Sequence, residues 1–425
     1  MEKLLMLGTS LASEEIVKYA KSQGVYTIVT DYLPPEISTA KLISDEYWMI
    51  NTGELDVLEQ KCREVGVSAV MCGVSEFNLE MTMALCKKLG LPSYCTPEAW
   101  HYSRDKADFK TLCREVGAPI ADDYFLSDEL TDEELDGVQF PVVVKPVDLS
   151  GNRGITYCYN KDELVSAYRY AQSVSKISSK IVVERMLHGK EWYSYYALAE
   201  GEIRQICLNA MEAEPGQLKN LYSLTTSITN NIKRFNEEIN PLIEKVLRRV
   251  GCREGIAWVQ VMLDDDDHFY IIEMGYRLPG DLPDYAYPKL CGFDSIKWLT
   301  DYARGIKHTV NDLPVAQTAE YRRCSCGYSL WTHKSGTIGK FIGIDKLSEI
   351  PDVSFYTLHH VGEKFVEHRP LGVISVFAEN IDEFCNKIKK INETISIVDY
   401  ENNDVIIRYT DFDYLRKTYE RGMVE

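Results

Sequence analysis

The first hundred residues switch repeatedly between two hydrophobic periods, and this restricts the fold more than any other feature. "KLLMLG" is an apolar run of strand length, "SEEIVKYAKSQG" has helical spacing and stops at Gly24, and "YTIVTD" is again a strand. The pattern continues through helical "LDVLEQKCREVG", strand "SAVMCG", helical "NLEMTMALCKKLG" and a short strand "LPSYC". Apolar strands alternating with amphipathic helices predict a parallel sheet with crossover helices, an α/β domain over residues 1–105. Its first turn, "GTSLAS", holds Gly8 alone. Without the further glycines that let a pyrophosphate approach a helix N-terminus, a dinucleotide site is not expected there.

A chain of 425 residues needs two or three domains. The pattern after residue 105 predicts a second domain to about 310, with antiparallel pairs such as "EWYSYYALAEGEIRQICL" and "GIAWVQVML"–"HFYIIEMG". A smaller α+β tail over 311–425 follows from "GTIGKFIGID", "PLGVISVFAEN" and "IDEFCNKIKKINETI". The net charge of −18 argues against a nucleic-acid surface and against a polybasic membrane contact. No run approaches 18 apolar residues and the N-terminal apolar run is too short for a secretory signal, so a cytoplasmic protein is expected. The 12 cysteines lack zinc spacing and read as reduced, buried thiols. Neither the "DDDD" run at 264–267 nor the histidines of "HHVGEKFVEH" complete a ligand set at known spacing.

Three stretches carry chemistry. In "FPVVVKP", Lys145 ends a strand before a loop containing Ser150, Gly151 and Gly154, and another strand follows. Such a glycine hairpin can close over phosphates with Lys145 beside it, although a tight hairpin with a surface lysine fits the letters as well. In "VVERMLHGKE", Glu184 and Glu191 flank a turn whose backbone at Arg185, Met186 and Leu187 could meet an adenine edge, with Glu191 on ribose hydroxyls. On their own, two solvated turn glutamates are the simpler reading. In "IIEMGYRLPGD", Glu273 closes an apolar strand and Arg277 follows it. A turn over Asp264–Asp267 sets Gln260 opposite Ile271. Gln260 and Glu273 are then diagonal neighbours, roughly 7 Å apart, on a face shared with Trp258, Met262, Phe269 and Ile271. Two acceptors in an apolar row suggest Mg²⁺ (or Mn²⁺) held mainly by nucleotide phosphates.

Together, the order of these stretches resembles the ATP-grasp superfamily of ligases, especially its carbamoyl-phosphate synthetase large-chain-like and L-amino acid ligase-like branches. The resemblance covers essentially the whole chain and implies a central ATP-grasp fold over 106–310, with a lid at about 120–185. "SRDKADFK" resembles the stretch supplying an early nucleotide lysine, here Lys106. "VVVKPVDLSGNRGI" resembles the phosphate strand and loop, with Lys145 and Arg153 matching, and "VVERMLHGKE" the adenine hinge, with Glu191 as ribose carboxylate. "WVQVML" and "IIEMGYR" resemble the metal strands. Many members end the second of these Glu-x-Asn-x-Arg. Here Gly275 stands at the asparagine and offers no side chain.

The resemblance implies ATP-dependent joining of a carboxylate to an amine through an acyl phosphate, with ATP and Mg²⁺ as cofactors. Lys106, Lys145 and Arg153 would face phosphates, and Arg277 the substrate acid. Amino acids or similar small acids and amines are the expected partners, with a homodimer left open. Glu212, Glu214 and the loop 279–284 are candidates to line a pocket for a cationic amine. Bicarbonate activation and a non-catalytic ATP-binding regulator are the competing classes.

Overall fold

The computed structural model of the protein describes residues 1–10, 12–147, 154–175, 181–218, 221–280, 287–314, 323–357 and 359–424. The N-terminal alternation gives a four-stranded parallel sheet in the order Glu46–Trp48, Tyr26–Thr30, Lys3–Leu7, Ala69–Cys72. "LPSYC" is not a strand. It leads into the helix Pro97–Arg104, and the fourth strand is instead Glu46–Trp48.

"SRDKADFKTLCREVG" has the spacing of one helix but is divided between two, Pro97–Arg104 and Lys106–Glu115. Asp105 breaks them because its carboxylate caps the second helix, accepting from the backbone N–H of Ala107 and Asp108 at 3.0 Å each. Lys106 is therefore fixed in a first helical turn.

A large sheet forms the centre. Its eight strands run in the order Phe269–Gly275, Gly255–Asp264, Gly189–Ala199, Glu202–Ala213, Tyr222–Thr226, Cys324–Trp331, Pro370–Ala378, Val353–Tyr356. The sheet continues across residue 310, so the tail domain extends the central one rather than sitting apart from it. The hairpin Gly189–Ala199/Glu202–Ala213 turns at Glu200 and Gly201, both at positive φ, as a two-residue turn requires. Its strands are buried along most of their length because layers cover both faces: Trp192, Tyr196 and Leu208 join one core, and Tyr195, Ala197 and Cys207 the other.

A second four-stranded sheet, Asp123–Tyr124, Ile181–Arg185, Val142–Pro146, Thr156–Cys158, carries the helix Lys161–Val174 and a core of its own built on Val142, Val144, Leu164, Ala171 and Val183. This is the region expected as the lid. The twelve cysteines are free thiols, buried except for half-buried Cys291. Among the described residues no helix is long and apolar enough to cross a membrane.

Candidate active site

The hairpin Gly255–Asp264/Phe269–Gly275 departs from the expected register. Leu263 faces Phe269 and Val261 faces Ile271, but Gln260 faces Glu273 directly. Ile272 is a bulge, the extra residue on its strand. One inserted residue reverses the alternation. Phe269 and Ile271 pack with Val259 and Val261 in the core, whereas Glu273 turns to the opposite, cavity-lining face beside Gln260. The expected diagonal pair is a directly opposed one, and Phe269 and Ile271 do not share its face.

Gly275 is filled from across the hairpin. It pairs with Trp258, and a Cβ built on Gly275 would overlap the indole ring. An asparagine there has no room. The same indole carries the Arg277 guanidinium at 5.3 Å from its ring and meets Tyr193 edge-on at 5.3 Å. Arg277 Nη2 donates to Glu76 of the N-terminal domain at 3.1 Å and Nη1 to the Leu278 carbonyl at 2.8 Å. Its buried Nε has no hydrogen-bond partner among the described residues.

Lys106 Nζ lies 3.3 Å from Glu273. Gln260 donates to Glu191 and accepts from the Tyr193 hydroxyl at 3.3 Å. Burial pushes Glu191 above the usual carboxylate range, and the hydrogen bonds from Tyr222 and Gln260 do not cancel it.

Lys145 is not the surface lysine of the alternative reading. It is 5% exposed and ion-paired with Glu184, which Lys110 also contacts at 2.6 Å. Burial acts to raise the Glu184 pKa, yet the two ammonium groups hold it well below the ordinary value. Glu184 is thus buried within the lid-region sheet and is not the solvated turn glutamate. Charge attraction acts between Lys145 and both Glu191 and Glu273.

The Arg185 side chain bonds Asp264 at 2.7 Å and covers the Tyr270 ring at 5.0 Å. Asp264, at the start of the turn, is buried. The Arg185 and Met186 amides donate to Asp122 and Pro141 carbonyls at 2.9 and 3.1 Å. Leu187 follows in the same link to strand Gly189–Ala199. Gly154 has φ 77 and packs on Pro146. Ser150, Gly151 and Arg153 lie outside the described residues.

Part of this set surrounds one cavity of about 420 Å³, whereas Lys145, Gly154, Glu184, Arg185, Met186, Leu187 and Glu191 are not among the residues that line it. Lys106, Gln260, Glu273 and Arg277 line it, together with Glu76, Tyr193, Tyr222 and Trp258. Glu212 and Glu214 do not join the lining: Glu212 pairs with Lys190 at 2.8 Å and Glu214 accepts from Thr410. Their neighbour Met211 lines the cavity instead. Sequence reading missed Glu76, Tyr193 and Tyr222. Only Tyr193 left a signal, two residues after Glu191 on an alternating strand.

A family model described as an ATP-grasp domain matches residues 138–282, which include Lys145, Glu191, Gln260, Glu273 and Arg277. The chain carries an ATP-grasp domain.

Relatives of this chain include the carbamoyl phosphate synthase large chain of Thermomicrobium roseum, 25% identical over 280 residues. That stretch is 63% of this chain but 26% of the relative. The D-alanine–D-alanine ligase of Solibacter usitatus is 28% identical over 207 residues, 47% of this chain and 62% of the relative. Among solved structures, the L-amino acid ligase from Bacillus licheniformis superposes with a TM-score of 0.74 at 17% identity, over 94% of this chain and 99% of that one.

ATP-grasp proteins generally use ATP with Mg²⁺. The opposed Gln260 amide and Glu273 carboxylate fit one hard cation whose remaining ligands are phosphate and water. A second ion has no side-chain ligand at 275, because the Trp258 indole occupies that place.

Proposed function

We propose that the chain is an ATP-dependent carboxylate–amine ligase. The observation that carries this reading is the convergence of Lys106, Gln260, Glu273 and Arg277 on one cavity. Phosphoryl transfer asks little covalent work of a protein and much alignment of anions. A carboxylate oxygen attacks the γ-phosphorus, an O–P bond forms, and the bond to ADP breaks. The amine then attacks the acyl carbon, phosphate leaves, and the amine loses a proton.

Lys106 and Lys145 neutralise phosphate oxygens, Lys145 by sharing its ammonium with Glu184. The segment from Glu184 through Leu187 forms the adenine side, and Glu191 accepts from the ribose. Arg277, pinned by Glu76 and the indole, lines the cavity and holds the acid by its positive charge. Gln260 and Glu273 would hold one Mg²⁺, which when bound supplies charge neutralisation on the phosphates.

The test is ADP release over pairs of amino acids with ATP and Mg²⁺. At least one acid–amine pair should elicit ADP, and Glu273→Ala should cut the rate by about a hundredfold or more. ATP binding without ADP from any pair would overturn the ligase reading.

A further inference from the structure

The shape of the cavity bears on its second substrate. Seven consecutive strands of the eight-stranded sheet contribute to its wall, from Glu273 and Gln260 at one end, through Tyr193, Met211 and Tyr222, to Trp331 and Val373 at the other. At about 4.8 Å between neighbouring strands, that path runs on the order of 25–30 Å along the sheet surface. The cavity is a groove crossing the sheet, and its far half lies well beyond the paired Gln260 and Glu273.

The two halves differ in chemistry. Near Glu273 the cations are engaged: Lys106 with Glu273, Arg277 with Glu76, Arg104 with Glu80. The middle is aromatic and apolar. Trp331 is locked there, its Nε1 donating to the Tyr222 carbonyl at 2.7 Å, and it pairs with Pro370 across the ladder. Next to Pro370 stands Arg369. Its backbone is clamped by two 3.0–3.1 Å bonds with Thr332, Arg369 N–H to the hydroxyl and Thr332 N–H to the Arg369 carbonyl. Arg369 is exposed at the groove's rim, and its guanidinium has no hydrogen bond or ion pair to any described residue. In a chain of net charge −18, a cation on a fixed backbone at the end of an apolar groove is placed to receive an anion.

Building on the ligase reading, we infer that the amine substrate is an elongated, apolar, peptide-like molecule whose terminal carboxylate is bound by Arg369. Its amino end reaches the acyl phosphate near Arg277, and its apolar side chains lie on Tyr222, Trp331 and Val373. A free amino acid spans only part of this path and leaves Arg369 empty.

The experiment compares leucine, trileucine and an alternating Leu–Ala octapeptide, each as free acid and as C-terminal amide, in wild type, Arg369→Gln and Arg369→Lys. Eight extended residues reach about 27 Å, the length of the path, whereas three reach only about 10 Å. Two readouts are taken: KM and kcat for ADP release with a suitable donor acid, and calorimetric Kd in the presence of Mg²⁺ and a non-hydrolysable ATP analogue. The octapeptide should bind at least about tenfold tighter than leucine, the worth of one charge-assisted contact. Its amidation or Arg369→Gln should remove that gain with kcat nearly unchanged, and Arg369→Lys should restore part of it. If leucine matches the octapeptide, or Arg369→Gln leaves the octapeptide Kd unchanged, the inference fails while the ligase reading stands on its ADP release. If no pair yields ADP but octapeptide binding depends on Arg369, the ligase reading fails and the groove assignment holds. Absence of both sinks both.

Discussion

Two lysines expected on the same phosphates sit in opposite electrostatic settings. Lys145 is buried and shares Glu184 with Lys110, while Lys110 also contacts Asp123, so its network is closed before any ligand arrives. Lys106 stands on the cavity wall and touches Glu273, a carboxylate that is one-third exposed. A closed buried network holds its sheet together, because removing one partner strands a charge. A partly solvated pair contributes little to stability and exchanges partners readily. The contrast teaches that Lys145 belongs to the architecture of the lid-region sheet, whereas Lys106 stands on the cavity wall, where the proposed nucleotide would meet it.

The largest effect that would sharpen this contrast is on turnover. Lys106→Ala should lower ADP formation by about 100- to 1000-fold, with a change in unfolding free energy within about 1 kcal/mol. Lys145→Ala should show the reverse emphasis, with a loss of about 3 kcal/mol in urea denaturation, the low end for a broken buried pair because Lys110 stays on Glu184. Equal stability losses in the two variants would erase the distinction.

Gly275→Ala comes next. Displacing the Trp258 indole should cost about 1–3 kcal/mol and weaken binding of the substrate acid, because Arg277 loses its platform. A crystal structure of that variant with the indole unmoved would contradict the packing argument.

The smallest effect is on pH. Glu184 has a folded pKa below its ordinary 4.5, so its contribution is present above that value and lost as pH falls toward the folded one. Urea midpoints measured from pH 6 down to 2 should fall in wild type and fall less in Lys145→Ala, where one of the two ammonium groups that depress the pKa is gone.

The legibility of the sequence divides along a similar line. Strands and helices with a clear local period were readable, including the hairpin at Glu200–Gly201 and the parallel start. The three-residue strand Glu46–Trp48 was not, since it is too short and too polar to show a period. Gln260, Glu273 and Arg277 were readable as a group because they sit within one hairpin and its exit. Their register was not, because a bulge leaves no mark in an alternation that carries an isoleucine at both the paired and the extra position. Glu76, Tyr222, Trp331 and Arg369 reach the cavity from four stretches far apart in the chain, and only folding brings them together. Lys145 showed its strand but not its burial, which depends on Glu184 arriving from a neighbouring strand.

The bulge at Ile272 acts as a phase shifter. Upstream of it the strand answers to the core, and downstream it answers to the cavity, so the two stretches are free to vary under different demands. Substitutions at Phe269 and Ile271 are constrained by volume, whereas those at 273, 275 and 277 are constrained by charge and by the indole opposite. Deleting this one residue would exchange the two sets of constraints, sending a carboxylate toward the core, without altering any of the side chains that define the site.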